Sequence, residues 1–427
     1  MKKLLKIVLS MTLVAVITLI SGCGSTSEEV DVYEEKLSYK KNSNQATVYT
    51  PMSERPNYAL KEGASVEEMR EMAVKAMYDE ISFLWTPLES FTYTKTGAGE
   101  NNVYYFGSDT VFAGMPYTSA GLSLFHMLDY YDPSNGVLYG LNGGDANVLI
   151  GNNCAPSVNW GLAAVCTNIT ASDTGSMTEK NGFVPVGGYD ITGVTKFSAQ
   201  YTTAGVIQRV GREKMYECLA QVVTADALMT NPTGSHAMMA IKPANVVRNS
   251  DGSIDPEKST ITIQDQRFGE KSMTLEGQTV SYRGRYDAEL SFKYLLDEGY
   301  IPLRASELAD ENHKYVKAEA KLSGSCKTLS DLKKAKVETN FRVCKIEAKI
   351  VSDSGKTVLL NRANTGIQDY LNGTDRNMEV KRVLPKSIEA QEAMKSGHKY
   401  NLQITVLLAD GEEITLFDQT VKASFFK

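Results

Sequence analysis

A thiol acts as a nucleophile only where something lowers its pKa and something takes up its proton. This chain holds six cysteines and four histidines among 427 residues, so the candidate pairs are few. Cys154 lies in "GNNCAPSVNWGLAAVC", just ahead of Pro156 and an apolar run. Proline is tolerated in the first turn of a helix, so the spacing predicts a helix that opens at Cys154. A helix N-terminus offers partial positive charge to a thiolate and N–H groups to an oxyanion. Cys166 sits at the far end of that helix, where the field has the wrong sign. Cys218 lies in a helical stretch among apolar residues. Both read as core cysteines, as would Cys154 without a base beside it.

The base must come from His126, His236, His313 or His398. His236 opens the strand-like "SHAMMAI" after a turn. His126, in "LFHMLDYY", is the weaker candidate, and the last two lie at or beyond a change of texture near residue 315. The residue that orients the imidazole is expected on the next strand, "STITIQDQ". If Ile261 and Ile263 face the core, Asp265 shares their side, while Gln264 and Gln266 point away. A buried carboxylate would stabilise an imidazolium, whereas an amide would only orient the ring. Asp265 is the first expectation, with the two glutamines as alternatives.

Cysteine, then histidine, then a polar residue is the papain-like order. Residues 114–266 resemble the NlpC/P60 family of papain-like cell-wall cysteine peptidases. The family's G-x-P-Y motif reads "GMPYTSAG" here. The run that opens its active-site helix reads "NNCAPSVNWGL", and its later strand and histidine read "VTADALMTNPTGSHAMMAI". Asn153 stands where the family has an acid, Ala155-Pro156 where it has Ser-Gly, and Asp or Gln where a second histidine is common. The resemblance implies a papain-like fold and a Cys154–His236–polar triad. It also implies that Tyr117 contacts the substrate or the nucleophile, and that the bond cleaved is an amide in a peptidoglycan stem peptide. Trp160, further along the helix, reads as core.

Other chemistries lack their residues. There is no HExxH, CxxC, Walker loop or G-x-S-x-G, and four scattered histidines argue against a zinc site. No cofactor or metal is expected. The net charge of −6, without any basic block, argues against nucleic acid. The N-terminus speaks to compartment. "MKKLLK" is a basic start, "IVLSMTLVAVITLI" has the length of a signal-peptide core, and "ISGC" resembles a bacterial lipobox ending at Cys23. Lipidation of Cys23 would anchor the protein to the outer face of the cell membrane. The polar "GSTSEEVDVYEEKLSYKKNSNQ" then reads as a flexible tether.

The elements that must hold the triad follow from periodicity. "SVEEMREMAVKAMYDEISFLW" reads as a helix, with a capping box of Ser65 and Glu68 and a stop at Pro87. "DAELSFKYLLDEGY" reads as another, closed by Gly299. Helices followed by antiparallel-looking strands give an α+β class. After residue 315 the chain alternates like strands, with turns at Ser354-Gly355 and Asp410-Gly411. The expected organisation is a signal peptide (1–22), a tether (23–60), a papain-like NlpC/P60-type domain (61–314) and an immunoglobulin-like β-sandwich (315–427). Cys326 and Cys344 share that last segment, where an exported protein permits a disulfide. The functional expectation is a cell-surface cysteine peptidase or amidase, with peptidoglycan or another envelope amide as its partner. A non-catalytic surface lipoprotein using the same fold as a binding or scaffold module is the alternative.

Overall fold

A computed structural model describes residues 52, 54–97, 100–139, 151–232, 234–275, 278–355, 357–364, 376–385 and 397–426. The expected signal peptide, Cys23 and most of the expected tether lie outside the described residues, while residues 54–60 at the end of that segment are described, with Tyr58 buried. What is described is α+β, with several separate sheets.

The first helix runs Val66–Ser82. Ser65 caps it: the Ser65 hydroxyl accepts from the Glu68 N–H at 3.3 Å, and the Glu68 carboxylate accepts from the Ser65 N–H at 2.7 Å. Met69, Ala73, Ala76, Met77 and Ile81 form its buried stripe. The helix ends at Ser82, five residues before Pro87, and Leu84–Pro87 is a strand. Bulky side chains decide this. Trp85 leaves the helix to stack on Phe106 and Phe112, with ring centroids 5.7 and 5.0 Å apart, in a second aromatic core.

Ten strands make the main sheet. Its order is Tyr131–Asp132, Val137–Leu138, Leu84–Pro87, Phe112–Ala113, Gln278–Ser291, Thr260–Leu275, His236–Ala240, Ala227–Thr230, Ile301–Ala305 and Phe183–Pro185. From Gln278–Ser291 onward every neighbour is antiparallel. "DAELSFKYLLDEGY" departs from the expected single helix. Its first part completes the strand Gln278–Ser291, and only Phe292–Asp297 is helical, with the Ser291 hydroxyl accepting from the Tyr294 N–H at 3.1 Å.

The helix Cys154–Ala163 lies between the first helix and the sheet, and all ten of its residues are buried. Gly161 permits the close approach: a Cβ there would lie 2.9 Å from Met77 Cβ and 3.0 Å from the Ala73 carbonyl oxygen. An amphipathic surface helix would show a polar face. This one shows none, because it is the centre of the layered core.

After residue 315 the described strands form a four-stranded antiparallel sheet, ordered Thr357–Asn364, Val343–Ser352, Lys399–Leu408, Glu413–Lys422, and a short ladder of Ala320–Leu322 with Val337–Thr339. The turns fall at Gly355 and Gly411, both at positive φ. The boundary near residue 315 is a packed junction. The Tyr58 N–H donates to the Asp410 carbonyl at 2.7 Å, Arg342 to the Ala171 carbonyl at 3.1 Å, and Lys345 pairs with Asp129 at 2.5 Å. One buried core runs through both parts. The disulfide allowed between Cys326 and Cys344 is not formed. Cys344 is drawn to the junction, its sulfur 3.6 Å from the Ser123 hydroxyl, while Cys326 is only half-buried.

Candidate active site around Cys154

Cys154 is the first residue of its helix, with Asn153 as N-cap in an extended conformation. The Asn153 side chain does not cap the helix. It donates instead to the Thr118 carbonyl at 3.0 Å. The N–H groups of the first turn, Cys154 and Ala155, are thus not covered by an Asn153 cap, and Pro156 has none. Neighbouring backbone holds this mouth in place. Asn152 bridges Tyr117 in parallel register, the Thr118 N–H donates to the Asn152 carbonyl at 2.8 Å, and the Leu122 N–H donates to the Gly151 carbonyl at 3.0 Å. Gly151 lies so near the Pro116 carbonyl and Thr118 that a Cβ would come within 2.7 Å of Thr118 Cγ2. The "GMPYTSAG" segment is therefore laid along the entrance to the helix, and the Tyr117 hydroxyl stands 3.7 Å from the Cys154 sulfur.

His236 begins the strand His236–Ala240 and reaches the same point from the sheet. Its Nε2 is 2.7 Å from Asp265 Oδ2, and the ring lies beside the Cys154 thiol, near enough for each group to shift the pKa of the other. With Nε2 committed to Asp265, Nδ1 is the nitrogen left to serve the sulfur. Asp265 is fully buried. It keeps the alternation with Ile261 and Ile263, so the carboxylate is the group behind the imidazole. The two glutamines are committed elsewhere: Gln264 donates to the Val74 carbonyl at 2.9 Å and Gln266 to the Met115 carbonyl at 2.6 Å.

The electrostatics separate this cysteine from the others. Burial alone would push the Cys154 thiol up, but the hydrogen bond and charge of His236, the Ala237 N–H and the Tyr117 hydroxyl bring it below its ordinary value. Burial would lower His236, yet the Asp265 carboxylate and the Cys154 sulfur hold it up, at about 9. Asp265 resists its own burial through hydrogen bonds from His236 and Arg285 and stays below the usual carboxylate range. Burial raises the Tyr117 phenol, which stays a neutral donor. By contrast, burial raises Cys166 and Cys218, and takes Cys344 to about 12. The thiol shifted down and the imidazole shifted up are the two that act on each other.

The remaining sequence candidates lie apart from this pair. His126 is buried in a helical turn with Nδ1 2.9 Å from the Ser123 hydroxyl, and its ring stands edge-on to Trp160 at 6.1 Å. Trp160 is core, its indole N–H donating to the Gly121 carbonyl at 3.0 Å. His313 and His398 stand beside Glu307 and Asp353. Among the described residues no cluster of His, Cys, Asp or Glu could hold a metal ion. A shallow cleft lined by Arg55, Phe125, Asp129, Tyr131 and Lys345 sits at the junction with the C-terminal sheet and shares no residue with this site.

Sequence reasoning missed three residues that shape the site. Arg285 forks onto Asp265, with Nη2 2.6 Å and Nε 3.1 Å from Oδ2. Tyr300 stands edge-on to the His236 ring at 6.3 Å. Glu80, on the first helix, is buried under the mouth of the Cys154 helix. It accepts from the Asn152 amide and, at 2.5 Å, from the Ser157 hydroxyl. The sequence offered one sign of Glu80: a carboxylate on the apolar stripe of that helix.

Burial pushes Glu80 up to about 7, against the hydrogen bonds from Ser157 and Asn152. A carboxyl raised above its ordinary 4.5 contributes stability that is fully present below that value and is lost as pH rises through about 7. Glu80→Gln keeps an acceptor for both donors and removes the charge. It is expected to raise the thermal midpoint near pH ~8 by the equivalent of roughly 2–3 kcal/mol, with little gain near pH ~5. Thermal melts at the two pH values check this, and equal effects at both would contradict it.

Compared with protein-family models, with curated proteins and with solved structures, the chain matches none.

Proposed function

We propose that this protein is a thiol hydrolase of papain type, a peptidase or amidase that cleaves an amide bond in peptidoglycan stem peptides. It would work at the outer face of the membrane, held there by a lipid on Cys23. The observation that carries the reading is the position of His236, which bonds the buried Asp265 carboxylate through Nε2 and lies beside the Cys154 thiol. A structural cysteine needs neither partner.

In this reading the ion pair of Cys154 thiolate and His236 imidazolium is the resting state. The sulfur attacks the amide carbonyl, and the carbon–nitrogen bond breaks after a tetrahedral intermediate. N–H groups at the helix mouth and the Tyr117 hydroxyl are the donors at hand for its oxyanion. His236 gives its proton from Nδ1 to the departing amine. It then takes a proton from the water that cleaves the thioester and releases a carboxylate. Asp265 stays ionised throughout and holds the ring so that Nδ1 faces the sulfur.

Alkylation of the native chain by iodoacetamide near pH ~6 tests the nucleophile without assuming a substrate, because only a thiolate reacts appreciably there. Peptide mass analysis is expected to find Cys154 modified ahead of Cys166, Cys218 and Cys344, with His236→Ala abolishing the preference. Parallel incubation with stem-peptide fragments is expected to release a new amine and a new carboxylate. Slow and equal labelling of all the thiols would leave only the binding or scaffold module.

A further inference from the structure

The antiparallel ladder between Thr260–Leu275 and Gln278–Ser291 contains one irregularity beside the site. Ile263 faces Ala288, but Asp265 faces Arg285, so the partner strand carries one extra residue across that interval. The extra residue is accommodated at Asp287, which adopts a left-handed backbone at φ 56. Aspartate is among the few residues that tolerate this conformation. In a regular ladder Tyr286 would stand opposite Asp265. The bulge turns Tyr286 outward, where its ring packs 4.5 Å from that of Tyr78, and brings Arg285 round in its place. Bulges beside active sites commonly re-aim a side chain in this way.

We propose that Arg285 is a positioning residue for the Cys154–His236–Asp265 relay, aimed by the bulge at Asp287, and that it limits how much of the Asp265 charge His236 feels. The inference rests on the thiol-hydrolase reading and deepens it.

The argument starts from Asp265 Oδ2, which accepts from His236 at 2.7 Å and from Arg285 Nη2 at 2.6 Å and Nε at 3.1 Å. The fork is planar and pre-organised, so it fixes the carboxylate as well as neutralising it. Met238 Sδ lies 3.2 Å from Nη2 and helps seat the guanidinium, which is only 18% exposed. A buried carboxylate without this partner would bind the imidazolium too firmly for it to act as an acid toward a leaving amine. With it, Asp265 can remain ionised whether His236 is charged or neutral. The other titratable groups facing the cluster are Cys154, Tyr117 and Tyr300, with Tyr294 beyond Tyr300. Burial raises both Tyr117 and Tyr300, so neither adds charge across the relevant range.

The test follows the His236 ring against pH in the intact chain, by the NMR shift of its Cε1–H assigned against His236→Ala, and the Cys154 thiolate by its ultraviolet absorbance relative to Cys154→Ser, with no substrate present. In the wild type the alkaline limb of the ring titration marks loss of the imidazolium. Arg285→Gln is expected to move that limb up by about one pH unit, the size of one removed charge at this range. Arg285→Lys keeps the charge but not the fork. It is expected to leave the limb in place while slowing turnover of stem-peptide fragments by roughly tenfold. Should the glutamine variant fail to fold, Arg285→Met is read in the same way, since it can keep the contact with Met238. A limb that stays at its wild-type position or moves down would overturn the proposal for Arg285 alone. A wild-type Cys154 without any thiolate below the ordinary cysteine range would overturn the hydrolase reading as well.

Discussion

Cys154→Ala is expected to lose roughly 10⁴–10⁶-fold in turnover of stem-peptide amides, the scale on which removing a nucleophile from a working triad acts. The remainder would be what the helix mouth and Tyr117 achieve by binding alone. Folding should hardly notice. The substitution removes one buried sulfur, comparable with a methylene, at a cost of about 1 kcal/mol. Cys154→Ser provides the sharper comparison. It preserves volume and hydrogen bonding, but a hydroxyl gives no alkoxide beside His236 near neutral pH, so it should be nearly as inactive as alanine. Kinetics with purified stem-peptide fragments, together with thermal melts of both variants, decide the matter. Retained turnover in either variant would place the chemistry elsewhere, and a large loss of stability with no activity in the wild type would make Cys154 a core residue.

The parts of this site legible in the sequence were those governed by local periodicity. Pro156 ahead of an apolar run put Cys154 at a helix mouth, and Ile261 and Ile263 put Asp265 on the inward face of a strand. Alternation survives there because the bulge lies on the partner strand. For the same reason Arg285 was not legible. Its aim depends on one left-handed aspartate and a register between two strands, and neither leaves a pattern in a single strand. Glu80 was hidden differently. Its burial depends on Asn152 and Ser157 arriving from a segment more than seventy residues away. The end of the first helix was misplaced because Trp85 is claimed by Phe106 and Phe112, and that tertiary demand overrides helical spacing. After residue 315 the hairpins could be read from their glycines. The junction that welds those strands to the first part rests on Tyr58, Arg342 and Lys345, whose partners are remote in sequence.

Asp265→Asn is expected to reduce turnover by roughly 10²-fold while leaving Cys154 and His236 in place, because a neutral amide no longer supports the imidazolium. Arg285 offers only donors and forks onto the same Oδ2 that faces His236. It would therefore draw the amide oxygen to that position, where the oxygen still accepts from His236 Nε2–H. The ring keeps its tautomer and loses the charge that balances it. The pH dependence shifts as well. In the wild type His236 is held at about 9 against an ordinary 6.5, and Cys154 is held below its ordinary 9.0. The thiolate–imidazolium pair is therefore favoured, and it ends on the alkaline side near 9. Without the carboxylate, the value of His236 falls and that of Cys154 rises, so the window narrows and alkylation of Cys154 near pH ~6 should drop toward that of a free thiol. Stability carries a sign that can be checked independently. A histidine raised above its unfolded value contributes stability that is fully present below 6.5 and vanishes as pH rises through about 9. The thermal midpoint of Asp265→Asn should therefore lie further below the wild type near pH ~6 than near pH ~9.5. A deficit that does not depend on pH would mean that Asp265 serves only to pair Arg285, and His236 would then lack the partner on which its role depends.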